Sequence, residues 1–221
     1  MSPAPVRVKI CGVRDDAAVD AAAEAGADWV GLNFFNRSPR AVTPEAAAGL
    51  VRRLRGRALS VGLFVDPGED DVARVLDLVP LDILQLYAGA ERAVVLRERF
   101  GRPVWLAHGV RSRSELPAAT ALDGLVIEAK APADADRPGG NGARFDWRIA
   151  QGWAAPAPWL LAGGLTPDNV AEAITRSGAP AVDVSSGVES EPGRKDPALI
   201  RRFVAAARSP SLGTTTGRGV Q

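Results

Sequence analysis

Residues 159–187 read WLLAGGLTPDNVAEAITRSGAPAVDVSSG, and this stretch decides the fold. It opens with an apolar run at 159–162 that leads straight into Gly163 and Gly164. An amphipathic segment at 167–176 follows, started by Pro167, and a second apolar run at 181–184 ends in Ser185 and Ser186. Short, continuously apolar runs fit strands of a parallel sheet covered on its outer face. Proline is preorganised for the first turn of a helix, so 167–176 is predicted as one. The unit is strand, glycine loop, helix, strand.

The same unit recurs along the chain. Strands are predicted at 6–10, 28–34, 59–65, 82–86, 103–107, 124–127, 159–162 and 181–184. Helices are predicted at 15–25, 44–54, 69–78, 91–100, 112–121 and 196–207, with a short one at 145–151. Gly26 stops the first helix, and Thr43 is placed to cap the second. A loop rich in Pro, Gly and Asp runs over 128–144. Eight units of about 26 residues match the spacing of a single-domain α/β fold, the (β/α)8 TIM barrel, better than a doubly wound open sheet. The barrel domain is expected over 1–208. A Gly/Thr/Ser-rich tail without apolar pattern, expected to be disordered, covers 209–221.

Composition narrows the function. The 221 residues are 46% hydrophobic and 24% charged, which is ordinary globular usage. Lys+Arg is 27 against Asp+Glu 26, a net charge of +1, so neither a nucleic-acid surface nor a membrane surface is expected. One Cys, Cys11, precludes an intramolecular disulfide or a zinc site built from cysteines. One His, His108, removes any multi-histidine metal site. No run approaches the roughly 20 apolar residues of a membrane span. The first residues lack a basic region followed by an apolar one. The protein is expected to be cytoplasmic.

In a barrel of this kind, chemistry sits at the C-terminal ends of the strands. Cys11 and Gly12 follow the first strand, and Arg40 lies in the loop after the second. Gln85 and Tyr87 end the fourth strand, His108 the fifth and Glu128 the sixth. Gly163-Gly164 and Ser185-Ser186 follow the last two strands, where backbone N–H groups suit a phosphate. Cys11 is either an inert buried thiol or, with a lowered pKa, a base. Glu128 is either paired with Lys130 or tuned for proton transfer to a ligand opposite Cys11. Arg40 suits a carboxylate, bound bidentately. Asp183, a charge inside a strand, either orients a neighbour or pairs structurally. His108 either touches ligand or satisfies local hydrogen bonds.

Taken together, these motifs resemble the phosphoribosylanthranilate isomerase family of tryptophan biosynthesis. The resemblance runs from about Val6 to Ala207. It is carried by Val8-Lys9-Ile10-Cys11-Gly12, Ser38-Pro39-Arg40, Val61-Gly62-Leu63-Phe64-Val65 and Gly139-Gly140-Asn141-Gly142. Ala162-Gly163-Gly164-Leu165-Thr166-Pro167 and Val182-Asp183-Val184-Ser185-Ser186-Gly187-Val188-Glu189 complete it. The resemblance implies a barrel without metal or cofactor that performs an Amadori rearrangement on a small phosphorylated aminosugar. It implies Cys11 as general base, Glu128 as general acid and Arg40 on the anthranilate carboxylate. Gly163, Gly164, Ser185 and Ser186 would hold the phosphate, and Tyr87, Asp183, Gly140 and Asn141 would line the substrate site. Two positions depart from the family pattern: Glu128 stands where the family has Asp, and Tyr87 where it has His. Two further readings follow from those departures. One is an isomerase of a different phosphoribosyl amine in specialised metabolism, and the other a non-catalytic phosphosugar-binding barrel. A monomer and a homodimer both suit a barrel of this size.

Overall fold

The computed structural model describes residues 5–130 and 146–209. The expectations for the 128–144 loop beyond Lys130, including Gly140 and Asn141, and for the tail beyond Ser209 lie outside them. Eight strands form a closed parallel barrel: β1 (Arg7–Cys11), β2 (Trp29–Asn33), β3 (Leu59–Val65), β4 (Ile83–Tyr87), β5 (Val104–Val110), β6 (Gly124–Ala129), β7 (Trp159–Leu161) and β8 (Ala181–Val184). β8 pairs back onto β1, with Lys9 opposite Asp183. The outer helices are α1 (Asp16–Glu24), α2 (Pro44–Leu54), α3 (Glu69–Leu76), α4 (Ala90–Phe100), α5 (Val170–Ser177) and α6 (Pro197–Arg208). A two-stranded hairpin, β9 (Glu189–Glu191) with β10 (Arg194–Lys195), follows β8.

Local chemistry accounts for most boundaries. The side chains of Asp15, Thr43 and Asp196 accept the first free N–H groups of α1, α2 and α6. Outward strand residues such as Val30, Leu84 and Leu125 pack against the helices in one apolar shell. Inward residues form a separate cluster that includes Trp29, Val61, Ile83, Trp105, Val126 and Leu160. At the N-terminal end of the barrel Trp29 and Trp105 meet edge to face, 5.0 Å between ring centres. A Cβ on Gly124 would sit 2.5 Å from the Trp105 ring, so glycine there makes room for the indole. The aromatic plug closes this end, and the open end carries the polar residues.

Three aspartates repeat one device at the plugged end. Each stands just before an even-numbered strand and accepts the N–H of the preceding strand. Asp28 takes Val8 N at 2.8 Å, Asp82 takes Ser60 N at 2.7 Å and Asp123 takes Val104 N at 2.9 Å. These bonds satisfy strand-start donors that no ladder partner reaches.

Two predicted helices differ. Residues 112–121 hold only a 3-10 turn at Arg113–Glu115. Glu115 accepts from the backbone N–H of Arg111 and Ser112, which closes the turn at once. Pro117 then disfavours helical backbone at Leu116, which is extended. The helix expected at 167–176 starts three residues later, at Val170. Asn169 accepts from Thr166 N and donates to Gly164 O, holding 164–169 as a loop. β5 also runs past its expected end, so His108 lies within the strand.

Asp123 additionally grips Arg97 through two bonds of 2.7 and 2.9 Å. Asp123→Ala is expected to cost about 1–2 kcal/mol in urea unfolding. Turnover at saturating substrate is expected to stay at the parent value, since the residue lies at the closed end.

Candidate active site

At the open end a cavity of about 690 Å³, open solvent at its mouth included, is lined by Cys11, Arg40, Tyr87, Glu128, Asp183, Gly163, Gly164, Ser185 and Ser186, among others. The barrel thus brings together, from six strand ends, the described residues that the family resemblance assigns to the site, whereas Gln85, buried in β4, is not among the lining residues. His108 is not among the lining residues, and its Nε2 bonds the carbonyl of Glu115 at 2.9 Å.

Cys11 is buried and ends β1. Beneath it Lys9, fully buried, donates to Asp183 at 3.0 Å across the closing seam. Asp183 therefore pairs with a neighbour that itself faces the thiol. Burial pulls the Lys9 ammonium down, but Asp183 and then Cys11 outweigh it, so its pKa is held above its ordinary value. The Cys11 thiol is pushed up by burial, and the Lys9 cation only partly offsets this. Of the two readings of Cys11, a lowered thiol pKa is therefore not found, because the desolvation cost of a thiolate exceeds what the Lys9 and Lys195 ammonium groups return. Gly31, opposite Cys11 on β2, makes the space: a Cβ there would lie 3.0 Å from Sγ and 3.3 Å from Lys9 Cε.

Glu128 and Tyr87 project inward from β6 and β4. On the strand between them the inward positions are Ala107 and Gly109, in register with Val126 and Glu128. With nothing bulky between, the phenol and the carboxyl interact. Burial raises the Glu128 carboxyl to about 7, and the Tyr87 hydroxyl pulls it back in part. Burial and then the neighbouring Glu128 push the phenol well above its ordinary value. Lys130, offered above as the partner of Glu128, instead faces Glu115 at 3.7 Å. Glu128 is thus a buried acid that still holds its proton near neutrality.

Arg40 is buried. Its stem packs on Gly12, where a Cβ would meet Arg40 Cδ at 2.6 Å. Nε and Nη2 donate to Glu189 at 2.7 and 2.9 Å. Lys195 Nζ donates to the same carboxylate at 2.7 Å. Burial would raise the Glu189 pKa, but Arg40 and Lys195 hold it at about 2.

The loops after β7 and β8 meet backbone to backbone. Gly163 and Gly164 adopt φ of 88° and 63°, the left-handed region that favours glycine. A Cβ on Gly187 would lie 1.8 Å from Leu165 O, so no side chain fits there. This close contact lets two stretches of backbone N–H approach one anion.

A family model described as N-(5'-phosphoribosyl)anthranilate (PRA) isomerase matches residues 8–206. The chain belongs to this family. A relative from Acidiphilium cryptum named N-(5'-phosphoribosyl)anthranilate isomerase is 57% identical over 204 residues, covering 92% of this chain and 98% of the relative. One from Granulibacter bethesdensis with the same name is 49% identical over 205 residues, covering 92% and 98%. Among solved structures, TrpF from Jonesia denitrificans aligns with a TM-score of 0.77 at 34% identity, covering 92% of this chain and 97% of that one. A phosphoribosyl anthranilate isomerase in complex with reduced 1-(o-carboxyphenylamino)-1-deoxyribulose 5-phosphate aligns with a TM-score of 0.77 at 31% identity, covering 91% and 98%.

Within this isomerase-family barrel, sequence reading did not assign roles to Lys9, Glu189 or Lys195. Lys9 carried a signal, being a lysine inside an apolar strand. Glu189 and Lys195 belong to the stretch that carries the family resemblance, but nothing local gives them a role, since their segment reads as a charged surface turn.

Two titrations check the electrostatics. Folding takes up a proton on Glu128 between its ordinary 4.5 and about 7. The native state binds more protons than the unfolded state in that window, so this group's contribution to stability falls as pH rises through it. Glu128→Gln is expected to flatten that part of the urea-unfolding profile between about pH 5 and pH 8. Ultraviolet thiolate absorbance, with Cys11→Ala subtracted, is expected to appear only above the ordinary thiol range.

Proposed function

We propose that this chain converts N-(5-phosphoribosyl)anthranilate into 1-(2-carboxyphenylamino)-1-deoxyribulose 5-phosphate by acid–base catalysis. The observation that carries the reading is a buried carboxyl that keeps its proton near neutrality, sharing one cavity with a thiol backed by a lysine. Membership of the family supports it. The substrate is a small phosphorylated aminosugar, handled in the cytoplasm.

Glu128 gives its proton to the furanose ring oxygen as the C1′–O bond breaks. The anthranilate nitrogen supplies the electron pair, and C1′ becomes a Schiff-base carbon. The Cys11 thiolate, formed beside the Lys9 ammonium, then removes the C2′ proton. Those electrons form the C1′=C2′ bond while the C1′=N pair returns to nitrogen, which gives the enolamine that tautomerises to the ketone. Glu128 regains a proton and Cys11 gives one up before the next turnover. Arg40 holds the anthranilate carboxylate. The backbone around Gly163, Gly164, Ser185 and Ser186 holds the phosphate. Tyr87 lines the wall beside Glu128 and limits what fits there. Its phenol also steadies the carboxylate that Glu128 becomes.

The test is loss of anthranilate-type fluorescence change on freshly generated substrate. The wild type is expected to turn over. Cys11→Ala and Glu128→Gln are each expected to lower kcat by at least about 10²-fold, while product affinity stays within a few-fold. Phosphosugar binding without turnover in the wild type would sink this reading in favour of a binding role. Turnover of another phosphoribosyl amine alone would move the substrate assignment.

A further inference from the structure

The Arg40–Glu189–Lys195 cluster is buried beside the cavity and consists of two cations and one carboxylate, a net charge of +1. All three side chains are less than a tenth exposed. Burying charges rarely stabilises a fold better than apolar packing of the same volume, so stability alone gives no reason for the cluster. Its geometry gives one. Glu189 Oε1 accepts from Arg40 Nε and Oε2 from Nη2, which occupies one side of the guanidinium. The other edge, Nη1 with the second hydrogen of Nη2, is the one left for a ligand carboxylate. One such carboxylate brings the cluster to neutrality.

Through Lys195 the same glutamate reaches the loop after β8. Lys195 Nζ, held on Glu189 Oε1, also donates to Ser185 O at 3.0 Å and Ser185 Oγ at 3.3 Å. Ser185 Oγ donates in turn to Cys11 O at 3.1 Å. The hairpin that carries Glu189 and Lys195 is pressed onto the loop of Arg40. Gly193, with φ 82°, would place a Cβ 2.4 Å from Pro39 O. One bonded chain thus runs from Arg40 through Glu189, Lys195 and Ser185 to the backbone of Cys11.

We propose that Glu189 is a positioning residue that sets the distance between the two anion-holding ends of the cavity, fixing the edge Arg40 presents and the setting of Ser185. This rests on the function proposed above, in which the ligand is an N-aryl aminosugar phosphate with a carboxylate at one end and a phosphate at the other. Glu189 touches neither end. It aligns C1′, C2′ and the ring oxygen with Glu128 and Cys11 by fixing both ends at once, and misalignment of about 1 Å costs about 10²-fold.

The experiment is a double-mutant cycle on the full chain with kcat and KM read separately: wild type, Glu189→Gln, Arg40→Lys and the double variant. Glu189→Gln keeps both cations, so KM is expected to stay within about threefold while kcat falls roughly 10- to 100-fold. Lysine has no edge to orient, so adding Glu189→Gln to Arg40→Lys is expected to cost little more, and the two losses do not sum. A parent-like kcat, a loss confined to KM, or simple additivity overturns the proposal. If Glu189→Gln does not fold, Glu189→Asp keeps the charge, but its shorter arm cannot span Arg40 and Lys195 together. It is expected to lose kcat at parent KM and parent urea midpoint, and a parent-like kcat overturns the proposal equally. No turnover by the wild type removes the functional reading and this inference together, whereas an active wild type with an indifferent Glu189 removes this inference alone.

Discussion

The Lys9–Asp183 ion pair lies on the seam where β8 closes onto β1, with the two residues opposite each other in the ladder. A parallel barrel must fill its interior with side chains, and most inward positions here are apolar or aromatic. A lysine at this depth persists only because a carboxylate meets it at 3.0 Å. That pairing decides what stands above it. Cys11 is the next inward residue on β1, and the Lys9 cation favours its thiolate more than any other charge. Closure of the fold and electrostatics of the thiol are therefore one interaction.

Glu128, across the mouth from Cys11, is governed by the opposite balance. Among the described residues its hydrogen-bonding partner is a phenol, and burial outweighs that partner, so its proton stays on near neutrality. Glu189 is also a buried glutamate, yet it sits at about 2 because two cations grip it. Two glutamates in one rim, one neutral and one charged, are thus told apart by neighbours alone. The first is suited to donating a proton and the second to holding guanidinium and ammonium groups still.

Much of the fold was legible because its signals are local. Apolar runs of strand length, capping residues such as Thr43, and glycine or proline at element ends reproduce α2, β3 and β8 at the expected residues. The miss at 112–121 has a local cause as well, since the Ser112–Glu115 capping box followed by Pro117 ends the helix before its second turn. The start of α5 moved because Asn169 bonds loop backbone in place of capping a helix from Pro167. The hairpin β9–β10 was not legible, because its short charged strands have no apolar alternation and exist through contact with the Arg40 loop.

By itself the sequence determined the eightfold strand–helix repeat, the barrel, and which residue types stand at the strand ends, because periodicity and turn chemistry act over a few residues. It also placed Cys11, Arg40, Glu128 and the two glycine–serine loops on the same rim. Only the tertiary structure decided which of these meet and in what charge state. Lys9 and Asp183 are 174 residues apart and Arg40 and Glu189 are 149 apart. A pKa depends on burial and on charges a few ångströms away, and closing the barrel is what brings distant residues to that distance.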